Sequence, residues 1–327
     1  GLSPDGLTGG ACFCDAQVYN SERLTLAFLQ SAQAAGAAIA NYAKVTGFLK
    51  HQNRIQGAIV RDEITGATFE VQAKLVVNTA GPWIHQLKDL ALPPEQPQPP
   101  ITLAKAVNLV VPAFIDHYAV GLSSRNQYRD QDAVLDKGSR FLFTAPWRGQ
   151  SMVGTWYFPY QQSPDEARVT AAELQVCLDD INATYPSAQL TPQDITFVHC
   201  GLLPSSGIEA TTGDVQLTKH YSVQDHSREG LPGLLTVSGV KYTTARDVAE
   251  KVIDQVGPIL SRSLPPSQTA QTPLQGGQIS HVQDFIQQEA RRLQPHVSQA
   301  TVQHLVYHYG SEYRAILDLV ADLESDH

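Results

Sequence analysis

Nine residues, Ser238-Gly239-Val240-Lys241-Tyr242-Thr243-Thr244-Ala245-Arg246, concentrate the chemistry legible in this 327-residue chain. The apolar run Leu234-Leu235-Thr236-Val237 before them reads as a buried strand, and Val248, Val252 and Val256 recur at helical spacing after them. A strand entering a helix through a glycine turn presents unpaired backbone N–H groups and the positive end of a helix dipole. That terminus suits a carboxylate, a phosphate or an electron-rich ring edge. Lys241 adds a full positive charge at the same place. The segment also fits an ordinary strand–turn–helix corner with a solvated lysine, so its meaning depends on what stands beside it.

A second segment has related character. Lys74-Leu75-Val76-Val77-Asn78 is a compact apolar strand running into Thr79-Ala80-Gly81-Pro82-Trp83. Gly81 lacks the side chain that would keep a flat ligand away from the backbone. In open α/β sheets ligands sit outside the carboxyl ends of the strands. Val45 and residues 79–81 are read as two such ends.

The elements that must position these residues follow from pattern. Asn20-Ser21 with Glu22 reads as the start of a helix ending near Gly36. Residues 37–45 read as a strand, and residues 48–50, 55–62 and 68–71 as a three-stranded meander. A helix is expected from Pro82 to about Leu90, then a proline-rich linker over residues 92–100. Residues 107–111, 133–135, 139–145, 151–155 and 195–200 read as strands of a larger, mostly antiparallel sheet. An amphipathic helix is expected over 170–185, and residues 215–217 and 220–223 read as a hairpin-like pair. Residues 265–277 are Pro/Gln/Ser-rich and read as a linker, with helices over 279–293, 298–309 and from 312 onward.

Composition excludes several classes. A net charge of −9 and no basic run longer than Arg291-Arg292 argue against a nucleic-acid binder. No apolar run approaches the roughly 20 residues that span a bilayer, and residues 1–14 do not resemble a signal peptide. Cys12, Cys14, Cys177 and Cys200 lack zinc spacing and read as reduced packing residues in a cytoplasmic protein. His304 and His308 share a helix face without a third ligand, so no metal is expected.

Asp15-x-Gln17 with Glu22-Arg23-Leu24, residues 76–83 and residues 239–246 together resemble the FAD-dependent glycerol-3-phosphate dehydrogenases, of the D-amino-acid-oxidase-like superfamily. Pro146-Trp147 with Val153-Gly154-Thr155, and His308-Tyr309-Gly310-Ser311, fit the same pattern. The resemblance runs from about Gly10 to Tyr309. It implies an α/β, two-dinucleotide-type FAD-binding fold with a mostly antiparallel substrate sheet and a C-terminal helical region. The expected division is 1–98 for cofactor (1–14 closing a preceding substrate-domain segment), 99–228 for substrate, 229–264 returning to cofactor, and 275–327 helical.

The resemblance also assigns roles. Val45, Thr79, Ala80, Gly81, Trp83, Gly239, Val240, Lys241, Tyr242 and Thr243 are expected to contact FAD, and Lys241 to act on the substrate. Lys219, Leu203 and Trp147 fall at substrate-binding positions. Leu203 and Lys219 stand where the family has arginines, and Asn108 stands where it has a histidine proposed as the base. An arginine grips phosphate with a fork, whereas lysine is a point charge and leucine makes no such contact. The base is then open between His199, His220 and a residue of the missing upstream segment. No G-x-G-x-x-G occurs in the sequence, and the resemblance places that motif upstream of Gly10, so an N-terminally truncated chain is expected.

The implied activity is oxidation of a small hydroxylated substrate by hydride transfer to flavin, with glycerol 3-phosphate the default. The alternative is an incomplete module that needs a separate dinucleotide-binding segment. The implied partners are a small molecule and an electron acceptor, quinone or oxygen. A homodimer and peripheral attachment to the inner face of the membrane are options carried by the resemblance.

Overall fold

The computed structural model describes residues 2, 9–92, 102–127, 139–211, 213–239 and 241–325. They form two compact units, one of residues 1–10 and 43–263, the other of residues 11–42 and 264–327. Among the described residues no helix is long and apolar enough to cross a membrane.

In the larger unit, β1 (Ala43–His51), β2 (Arg54–Asp62) and β3 (Thr68–Gln72) form an antiparallel meander. β4 (Val76–Asn78) leaves it, followed by a single 3-10 turn (Gly81–Trp83) and α2 (Ile84–Ala91). In the smaller unit, α1 (Ser21–Ala34) precedes all of these, and Asn20 caps it by accepting from the Arg23 amide at 2.9 Å. The expected strand over 37–45 does not form as such. Residues 37–42 have no ladder partner to satisfy their backbone groups, and the strand begins at Ala43 after Tyr42 turns the chain at φ 55°.

The main sheet contains β5 (Leu103–Pro112), β6 (Val120–Gln127), β7 (Ser139–Trp147), β8 (Gln150–Tyr160), β9 (Phe197–Ile208) and β10 (Val215–Leu217), in the order β10-β9-β5-β8-β7-β6. Its pairings are antiparallel. One face packs on α3 (Ala171–Thr184), burying Val107, Leu109, Leu142, Val153 and Trp156 against Cys177, Leu178 and Ile181. The Thr170/Glu173 capping box starts that helix. The buried Lys105 ammonium ties the sheet to it, 2.7 Å from the Glu173 carboxylate.

β11 (Ser222–Asp225) and β12 (Leu234–Ser238) join β4 in a small sheet of order β11-β12-β4, with β12 and β4 parallel. The expected hairpin between 215–217 and 220–223 is therefore corrected. β10 pairs with β9 and β11 with β12, because the chain crosses from one sheet to the other over residues 218–221. α4 (Ala245–Ile259) covers β12 through Val237, Val248 and Val252.

α5 (Val282–Leu293), α6 (Gln299–Tyr309) and α7 (Tyr313–Ser325) complete the smaller unit around Ile286, Ala290, Val302, Val306 and Tyr313. Residues 265–277 are pinned here, since the Gln275 amide donates to Ser31 Oγ at 2.9 Å and the Ser311 amide to the Gly276 carbonyl at 3.0 Å. The expected linker over 92–100 and strand over 133–135 lie, apart from Leu92, outside the described residues. Only Cys177 of the four cysteines is buried, which corrects the packing role expected of Cys12, Cys14 and Cys200.

Candidate functional site

Parallel pairing fixes the site's geometry. Val76 lies opposite Leu234, and Asn78 opposite Thr236. Two chains running side by side in one direction must leave the sheet at the same edge, so residues 79–81 and Ser238-Gly239 emerge together at the carboxyl ends. Asn78, 2% exposed, shapes the first exit: its Nδ2 donates to the Ile84 carbonyl at 2.9 Å and its Oδ1 accepts from the Ala80 amide at 3.1 Å. Gly81 then takes φ 56°, a left-handed conformation that glycine adopts without strain. Trp83 follows, its indole N–H donating to Asp165 at 2.9 Å.

A cavity of about 260 Å³ opens at this edge. Gly81 and Gly239 line one part of it. Leu202, Leu203, Pro204 and Ser205 of β9 line another, so the small parallel sheet and the large antiparallel sheet both contribute. Its polar residues include His85, Lys88, Thr218, Gln224 and Thr236. Burial, and then the charge of Lys88, lower the His85 imidazole below its ordinary pKa. Sequence reasoning singled out none of these five for the site. The available signal was spacing: His85 and Lys88 sit one helical turn apart just after Gly81.

The remaining expected residues are distributed around this centre. Of the three substrate-position residues, Leu203 lines the cavity; Lys219 is half-buried, next to the lining residue Thr218, and Trp147 lies on β7. Lys241, Tyr242 and Thr243 are exposed beyond Gly239, at the approach to α4, and do not line the cavity. The Thr244 side chain does not cap the start of α4, and the Ala245 amide donates to the Tyr242 carbonyl of the preceding turn. Thr79, Ala80 and Trp83 lie in the turn that carries Gly81, and Val240 lies outside the described residues. Val45 sits within β1, paired with Val60 and followed by a bulge, so the expectation that it ends a strand of the parallel sheet is corrected.

Asn108 belongs to a second cluster. It faces His199 across β5–β9 and Gly154 across β5–β8, and Thr155 donates its hydroxyl to Asn108 Oδ1 at 2.8 Å. The His199 ring meets the edges or faces of Trp147 (5.8 Å) and Phe197 (4.9 Å). Its Nε2 is buried without a hydrogen-bond partner. Leu203 and His199 are four residues apart on one strand and so share a sheet face, about 13 Å apart at ~3.3 Å per residue. The cavity and the Asn108–His199 cluster thus lie along the same surface.

The residues present suit a flavin in part. Two glycines flank a cavity at the carboxyl edge of parallel strands, and a Cβ on either Gly81 or Gly239 would meet open space rather than protein. The glycine-rich loop that cradles a pyrophosphate is not among these residues.

Comparison with known proteins places the fold in a family. Residues 1–241 match the DAO family, described as FAD dependent oxidoreductase. A glycerol-3-phosphate dehydrogenase of Synechocystis sp. is 33% identical over 323 residues, covering 96% of this chain and 56% of that protein. An aerobic glycerol-3-phosphate dehydrogenase of Staphylococcus haemolyticus is 26% identical, covering 95% and 54%. The solved structure of glycerol-3-phosphate dehydrogenase from Bacillus halodurans, complexed with FAD, superposes with a TM-score of 0.73 at 27% identity, covering 90% of this chain and 55% of that one. The chain spans about half the length of the relatives it matches.

Proposed function

The chain belongs to the FAD-dependent oxidoreductase family, and on that premise we propose that it forms the flavin-side and substrate-side walls of a glycerol-3-phosphate dehydrogenase-like enzyme. The observation that carries this reading is the cavity where residues 79–81 and Ser238-Gly239 leave adjacent parallel strands and meet Leu203 of the substrate sheet. Bound FAD would supply the two-electron acceptor for a C–H bond beside a hydroxyl.

The chain's own residues then have these tasks. Gly81 and Gly239 admit the flat ring to the backbone. The uncapped start of α4 and the Lys241 ammonium favour negative charge at the ring edge or on the substrate. Asn108, its Oδ1 already accepting from Thr155, keeps its amide N–H groups to orient a substrate oxygen. His199, with an unpartnered Nε2 opposite Asn108, takes the proton from the substrate hydroxyl. Lys219 faces an anionic substituent. Val45, Thr79, Ala80, Trp83, Tyr242 and Thr243 support the cofactor.

A second reading is favoured by Leu203, which places an alkyl group on the cavity wall where a phosphate would need a cation. In it the chain is a module that becomes competent only with a separate dinucleotide-binding segment.

The test is to add FAD to the purified chain and follow flavin absorbance through gel filtration. The leading reading predicts co-elution of FAD and bleaching by glycerol 3-phosphate without oxygen. Binding only after a G-x-G-x-x-G segment is supplied favours the second reading. Absence of binding in both cases removes the flavin site altogether.

A further inference from the structure

His226 has no solvent exposure, and both of its ring nitrogens are engaged. Nδ1 lies 3.1 Å from Glu229 Oε2, and Nε2 lies 2.8 Å from Thr236 Oγ1. Glu229 in turn holds Lys88, whose Nζ is 2.9 Å from the same Oε2. Its other oxygen accepts from the Gln224 side-chain amide. Lys88, Gln224 and Thr236 all line the cavity, whereas the buried His226 and the exposed Glu229 are not among its lining residues. One His–Glu pair therefore anchors three polar side chains of the wall, drawn from α2, β11 and β12.

The proton positions follow from donor and acceptor chemistry. Lys88 foremost, and His226 as well, hold the Glu229 carboxyl below its usual range, so it accepts only. A ring nitrogen facing a carboxylate carries the proton, and in a neutral ring the other nitrogen is then an acceptor. In that tautomer Thr236 donates its hydroxyl to Nε2. Among the described residues lining the cavity, Lys88 is the only permanently charged side chain, and its charge is matched by Glu229.

We propose that His226 is a positioning residue which, as the Nδ1–H tautomer, locks Glu229 onto Lys88 and Thr236 onto the wall, so that this part of the cavity takes an uncharged polar edge of a ligand and leaves the ligand's anionic group to other residues. The proposal deepens the reading of the cavity as a ligand site. Its test uses no flavin, so its failure and the failure of that reading are separable.

Long-range ¹⁵N–¹H spectra of the intact chain report histidine tautomers directly. The His226 signals, assigned in the unaltered chain, are expected to show a protonated Nδ1 and a bare Nε2. An Nε2–H tautomer or a doubly protonated ring overturns the proposal. The second arm uses inorganic phosphate as an anionic probe, read by shifts of the Lys88 ammonium and by calorimetry. Glu229→Gln keeps the shape and removes the charge. It is expected to gain phosphate affinity at least about tenfold over the parent chain, and Lys88→Met added to it should cancel the gain. Equal phosphate affinity in the parent and Glu229→Gln overturns the claim that Glu229 occupies Lys88. If a variant fails to fold, the tautomer of the unaltered chain still decides, because the locked Nδ1–H form is required by every part of the proposal.

Discussion

The Asn78 carboxamide reaches across its own turn to the Ile84 carbonyl, 2.9 Å from Nδ2, and so determines where Gly81 stands. Removing it in Asn78→Ala leaves a buried carbonyl and the Ala80 amide without these partners, at about 1–3 kcal/mol each. Denaturant unfolding should register a loss in that range. FAD affinity, in whatever form of the chain binds it, should fall at least about tenfold. Intact affinity in a destabilised Asn78→Ala protein would disconnect the turn from binding.

Lys105 and Glu173 join the main sheet to α3 with little access to water. Breaking such a pair from one side leaves a buried charge, so Lys105→Met should cost about 3–5 kcal/mol. Adding Glu173→Leu should return much of that loss, because the stranded charge is then gone. Urea midpoints of the two single variants and the double variant form the check; an additive double loss contradicts it.

Acid should destabilise the fold, and the sign follows from four groups. Burial opposes ionisation of Glu173, but its bonds to Lys105 and Thr170 outweigh this and lower its pKa. Lys88 lowers Glu229. Burial likewise opposes Glu289, where Tyr313 and Arg314 prevail. A carboxyl lowered on folding binds more protons when unfolded. Its stabilisation is complete above the ordinary value of 4.5 and drains away as pH falls through the lower folded value. His85, lowered chiefly by burial, acts in the same direction from its ordinary 6.5 downward. Urea midpoints should decline in two stages, the first absent in His85→Gln. A flat profile from pH 7 down to about pH 3 would count against all four.

Leu203→Arg places a planar cation in a cavity whose charged lining residue among those described, Lys88, is already paired. Glycerol 3-phosphate should bind at least about tenfold more tightly, through charge-assisted bonds to the phosphate. Glycerol, lacking the phosphate, should not gain. Calorimetry with both ligands tests this, and an equal gain for glycerol would point to reshaping of the cavity instead.

Gly154→Ala probes the second cluster. A Cβ there would run into Asn108 Oδ1, with the Val107 carbonyl 3.1 Å away. Asn108 must rotate away from Thr155, at a cost of about 1–3 kcal/mol for overpacking. Turnover should fall further than stability explains if Asn108 orients substrate, and the comparison with Asn108→Ala separates the two effects.

Local signals were legible in the sequence wherever one segment contains its own instructions. Asn20 caps α1, Thr170 and Glu173 begin α3 with a capping box, and the valines of α4 keep their spacing. Pairing was less legible, because a strand's partner is chosen by the rest of the fold. Residues 37–42 have strand-like composition but no ladder, and residues 215–217 and 222–225 are sequence neighbours assigned to different sheets. The glycines of the candidate site were legible because the backbone needs them. The His226–Glu229 pair was not, since a His and Glu three apart usually form a surface pair; its meaning comes from Lys88, which approaches from another element.

The parallel match of β4 with β12 bears on the order of events at the ribosome. Residues 76–81 emerge first and gain their strand neighbour only when residues 234–238 follow them. At ordinary translation rates that delay is on the order of ten seconds. Until then the Thr79–Gly81 turn lacks the side that completes it, and no ligand can be gripped from both edges. Loading of this cavity is therefore confined to the time after residues 234–238 have left the ribosome.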